Sequence, residues 1–136
     1  MRLEKIFKNT VNIYLGTLIL TIISFFYESD EVNQINENIS GGFMGVNEAT
    51  GFAVGIMALI LLIVLLISLY LLYNFKPLGK KLYIACLIVS SLTTLMQGPS
   101  AVGEISYLLV ELNMAAAGAL LVFLYFTPIK NKFISS

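Results

Sequence analysis

Four long apolar stretches divide this chain, and short polar segments separate them. The first runs from about Val11 to Tyr27, the second from Phe52 to Tyr73, the third from Leu82 to Gln97 and the fourth from Ile105 to Phe126. A bilayer core about 30 Å thick takes roughly 20 helical residues, with ~17–25 the usual range. The first stretch reaches that range, and Asn9 and Thr10 can extend its inner end. The third reaches it if Lys80 and Lys81 snorkel from the boundary, and the second can cross with tilt. Lipid offers no hydrogen bonds to a backbone, so each stretch is expected to be a helix. The pattern predicts an all-α, polytopic membrane protein: one domain over residues 1–136, built as a four-transmembrane-helix bundle.

The polar segments add detail at one side. The only long connection is the outer loop, residues 28–51. Its first half carries Val32, Ile35 and Ile39 at near-helical spacing among Asn and Glu. That spacing suits a short amphipathic helix on the membrane surface, with a mobile acidic loop as the alternative. Its second half, Gly41 to Val46, mixes flexible backbone with apolar side chains and could cap the outer mouth of the bundle or dip into the interface. The segments 42–50 and 98–106 share Gly, three residues, Val, one residue, Glu, one residue, then Thr or Ser. Two helical hairpins related by a parallel repeat would show this. So would any two helices entering from outside, because a carboxylate near a helix N-terminus meets a favourable dipole. Asn38-Ile39-Ser40 fits a glycosylation sequon, a match that arises often by chance.

Composition agrees with the membrane reading. The chain is 58% hydrophobic and 12% charged, against roughly 25% charged in soluble domains. Four spans use most of 136 residues, which leaves no room for a separate soluble domain. Net charge is zero, but the basic residues are not evenly spread. Arg2, Lys5 and Lys8 precede the first stretch, Lys76, Lys80 and Lys81 join the second to the third, and Lys130 and Lys132 follow the fourth. Glu28, Asp30, Glu31, Glu37, Glu48 and Glu104 lie on the opposite side, with no Lys or Arg among them. The positive-inside rule then puts both termini of this multi-pass protein in the cytoplasm. Aromatics mark the boundaries: Phe25, Phe26, Tyr27 and Tyr107 outside, Tyr70, Tyr73, Tyr83, Tyr125 and Phe126 inside. The basic N-terminus followed by an apolar run also suits a secretory signal. No small-residue cleavage site follows it, so an uncleaved first helix is expected.

Candidate chemistry is sparse. There is no histidine, and Cys86 is the only cysteine, which removes the commonest general base and any thiolate metal site. No nucleotide-binding loop or nucleophile–base pair is present. An enzyme, a cofactor, a metal centre and a nucleic-acid partner are therefore not expected. Glu111 stands out, about 10 Å along the helix from Glu104 at 1.5 Å per residue. A carboxyl at that depth costs ~2.5 kcal/mol or more to insert. Glu104, Tyr107, Ala115 and Gly118 share its face by helical spacing, and this face is expected to pack inward. Ser90, Ser91, Thr93, Thr94 and Gln97 on the third stretch are its candidate partners. The group reads either as a proton or cation site or as hydrogen-bonded glue between helices. Asn12 and Asn113 read as structural. Gly51, Gly55, Ala115 and Gly118 are candidate helix-packing positions, toward another span or another subunit, and the lysines at 76, 80 and 81 could attract anionic lipid heads.

From Gly41 to Phe126 the chain resembles a group of small bacterial four-helix integral membrane proteins of unassigned activity. The matching points are Thr50-Gly51-Phe52, Gly55, Lys80-Lys81, Gly98-Pro99, Tyr107 and Glu111. The resemblance implies a four-span fold and no particular activity. Two functions remain open: a transport or channel-like protein using Glu111 near the outer face, or a non-catalytic accessory subunit. In the second, small-residue faces pack on a copy of the chain, as a homo-oligomer, or on a partner subunit within the lipid bilayer.

Overall fold

The computed structural model describes residues 2–39, 48–97 and 101–133. In that range every regular element is a helix: α1 (Arg2–Phe25), α2 (Asp30–Ile39), α3 (Glu48–Tyr73), α4 (Pro77–Gln97), α5 (Glu104–Phe126) and a C-terminal 3-10 helix, Pro128–Phe133. Three helices are long and apolar enough to cross a membrane: Arg2–Phe25, Gly55–Tyr73 and Glu104–Phe126. This is the build of a membrane-embedded chain. In α4 the apolar run begins only at Leu82, after Lys80 and Lys81.

Many serine and threonine hydroxyls in these helices bond back to their own backbone. Thr17 donates to the Tyr14 carbonyl, Thr21 to Thr17, and Ser24 to Thr21. Ser90 and Ser91 both donate to the Leu87 carbonyl, Thr93 to Val89 and Thr94 to Ser90. Bonding back one turn lets a hydroxyl sit in lipid without stranding a donor.

Packing proceeds in pairs: α1 lies along α5, and α3 along α4. On α1 the buried stripe is Phe7, Val11, Tyr14 and Thr21, the three- and four-residue spacing of one helix face. On α5 it is Ser106, Ala116, Leu120 and Leu124. Asn113 lies on the same side as that stripe and joins the pair, its side-chain amide donating to the Tyr14 carbonyl at 3.3 Å and to Thr17 Oγ1 at 3.1 Å. Tyr83 bridges the other pair to α5 by donating to the Ala117 carbonyl at 3.2 Å. The sequence places Tyr83 among boundary aromatics; it is instead fully buried, edge-on to Tyr14.

One end of the bundle is closed by aromatic rings. Phe7 stacks on Phe75 and meets Phe123 and Phe133 edge-on. The termini come together there, with Glu4 and Lys132 ion-paired and Lys8 over the Tyr73 ring. The α3–α4 turn at this end is a Schellman motif. Lys76 N–H bonds to the Leu71 carbonyl and Phe75 N–H to the Leu72 carbonyl, with Phe75 in the left-handed region at φ 55°. That position usually takes glycine; here the aromatic contacts of Phe75 compensate.

At the other end α2 is ordered by a two-point contact. Asn36 donates to the Ala101 carbonyl at 2.9 Å and accepts from Ala101 N–H at 2.7 Å. Gly103 N–H also reaches Glu28 Oε1 at 3.4 Å. The first half of the segment 28–51 is thus the amphipathic helix its spacing predicts. Its second half, and the glycines and proline of the two similar segments, lie outside the described residues.

Candidate functional site

The face of α5 that carries Glu111 points away from the bundle. Glu104, Tyr107, Glu111, Ala115 and Gly118 are all exposed on the isolated chain. This corrects the expectation that they pack inward, and helix geometry gives the reason. Asn113 is two positions from Glu111, and at 100° per residue two positions put side chains on nearly opposite sides. Only one of the two polar residues can face α1, and the inward side goes to Asn113 with Ala116, Leu120 and Leu124. What Glu111 does meet is the Tyr107 hydroxyl, one turn back on the same helix. Around them the outer face is apolar, with Ile105, Leu108, Leu112 and Met114 exposed.

The candidate partners on α4 are not brought to Glu111, because α4 lies against α3 while α5 lies against α1. Ser91 is exposed. Thr94 lines a cavity of about 240 Å³ together with Tyr14, Cys86, Ser90 and Thr93. The side chains of Gln97 and Gly51 lie outside the described residues. Among the described residues Gly55 and Gly118 pack against nothing, since a Cβ at either would meet nothing within 4 Å. Close helix approach within the chain uses Ala116 and Ala117 instead, one and two residues along from Ala115.

Two further cavities border α1. One, of about 340 Å³, includes Asn12, Leu66 and Tyr70. The other, of about 570 Å³, lies at the basic end among Arg2, Lys5 and Lys8. Glu111 lines none of the three. Among the described residues no group of His, Cys, Asp and Glu could hold a metal ion.

Asn113 was legible as structural and is the polar contact between α1 and α5. Asn113→Leu should lower stability by about 0.6–1.7 kcal/mol, the range of interhelical hydrogen bonds in membranes. Unfolding in mixed micelles, followed by loss of helicity, measures it. No protein-family model, curated protein or solved structure matches the chain.

Proposed function

We propose that this chain is a non-catalytic membrane subunit that assembles within the bilayer through the outer face of α5, with a second copy of itself as the partner. One observation carries the reading: a carboxyl well inside an apolar helix faces out of the bundle. Exposed to hydrocarbon, Glu111 carries an insertion cost of ~2.5 kcal/mol or more. Contact with another helix removes that cost. The Tyr107 hydroxyl and the Glu111 carboxyl set a hydrogen-bond donor beside an acceptor on this face, so the face is complementary to its own copy across a two-fold axis. Ala115 and Gly118, open on the same face, permit close approach. The transport reading requires a water path to Glu111, and the cavities described above do not include that residue.

In this reading α4 crosses as a fourth span, with Lys80 reaching over the Tyr125 ring at the membrane boundary. The clustering of both termini with the α3–α4 turn supports placing them on one side. The positive-inside rule makes that side cytoplasmic, in a bacterial inner membrane. Membership in a group of small four-helix membrane proteins belongs to the same reading.

Energy transfer between donor- and acceptor-labelled copies in liposomes tests the assembly. Wild type should associate, Glu111→Leu should weaken association by about 3- to 30-fold for the loss of an interhelical hydrogen bond, and Glu111→Gln should retain most of it. A wild-type chain that stays monomeric, or Glu111→Leu associating as strongly, overturns the proposal.

A further inference from the structure

The cavity between α1, α3 and α4 has a feature that the assembly of α5 does not use. Its inner wall carries Tyr14, Cys86 and Thr93, all buried, and its rim carries Ser90 and Thr94, both exposed. Leucines of α3 and α4 form the rest, with Ala58 at the open side. With α4 as a fourth span, the reading proposed above, the exposed rim of the cavity opens sideways toward lipid.

The donors along this wall are not equivalent. Ser90, Thr93 and Thr94 each spend their hydroxyl proton on a carbonyl of their own helix. Tyr14 is 3% exposed, yet its hydroxyl makes no hydrogen bond within the described protein. Fully enclosed polar side-chain atoms in the described residues all have partners. The Tyr14 hydroxyl is therefore not fully enclosed, and the residue lines the cavity. A donor left unpaired in an apolar setting costs about 1–3 kcal/mol, and a bound acceptor recovers it.

Size bounds the ligand. An apolar cavity of roughly 150 Å³ holds benzene, so about 240 Å³ admits a ring with a short substituent. We infer that this cavity is a lateral binding site for a neutral, mainly apolar molecule with one hydrogen-bond-accepting oxygen, held by the Tyr14 hydroxyl. The site takes its ligand from the bilayer and is independent of association through Glu111.

Cys86 is the only cysteine and lines the cavity, so its alkylation by N-ethylmaleimide reports occupancy. The full chain in liposomes is treated with acetophenone or with ethylbenzene, which match in shape but differ in the ketone oxygen. Acetophenone should slow alkylation saturably, at a bilayer concentration about three- to tenfold lower than ethylbenzene. Tyr14→Phe should remove that preference and leave ethylbenzene protection unchanged, which also shows that the cavity is intact. Ala58→Leu, filling the open side, should abolish protection by both at unchanged helicity. Equal protection by the two compounds in wild type, protection by neither, a preference surviving Tyr14→Phe, or protection surviving Ala58→Leu overturns the inference.

Discussion

Phe7→Ala should cost about 3–5 kcal/mol of stability, the range for removing a fully buried phenylalanine. Phe7 is completely buried and its ring touches those of Phe75, Phe123 and Phe133. These come from the α3–α4 turn, from α5 and from the C-terminal 3-10 helix, so one side chain ties α1 to three separate elements. In a membrane, apolar helices gain little from leaving lipid, and packing contacts carry their association. The loss therefore comes from broken contacts and an unfilled void rather than from transfer to water. Unfolding in mixed micelles measures the total. A second readout is local: with the ring gone, the Lys130–Lys132 segment should become several-fold more sensitive to trypsin. A change below about 1 kcal/mol would show that the neighbouring rings refill the space.

How much of this was legible in the chain depends on the residue. The helices were legible because long apolar runs bounded by Lys, Glu and Asn allow few other structures in lipid. The α2 helix was legible because Val32, Ile35 and Ile39 follow its period. The rotation of α5 was not. That helix is apolar nearly all round, and its small residues occupy two faces, Ala115 with Gly118 and Ala116 with Ala117. Neither apolar pattern nor side-chain size selects the inner one. The polar and small residues that share the Glu111 face read as an inward marker, yet the same residue types suit a face turned toward a second chain. Asn113 held the better clue, because an amide can satisfy a backbone carbonyl on a neighbouring helix and still give close packing. Tyr14 was not legible: between Ile13 and Leu15 it reads as one more large apolar group. Only its burial beside Cys86 and Thr93 sets its hydroxyl apart.

Gly79→Val should be the most disruptive change on α4, at about 3 kcal/mol or more, the upper end of overpacking costs. A Cβ at position 79 would stand 2.7 Å from the Leu71 Cβ, 2.7 Å from the Leu72 backbone nitrogen and 2.9 Å from the Leu71 carbonyl carbon. Two of those three atoms are backbone of α3, so no rotamer change can relieve the clash. The turn cannot yield either, because Lys76 N–H and Phe75 N–H are both bound to carbonyls of the last turn of α3. The remaining adjustment is to swing α4 away from α3. That motion would separate the walls of the Tyr14 cavity and pull Tyr83 from the Ala117 carbonyl that links α4 to α5. Gly79→Val is therefore expected to lower stability and speed Cys86 alkylation together, with Gly79→Ala giving both effects in smaller measure. Lost stability with an unchanged alkylation rate would mean that the strain is absorbed in the turn, leaving the α3–α4 spacing to be held by contacts further along the helices.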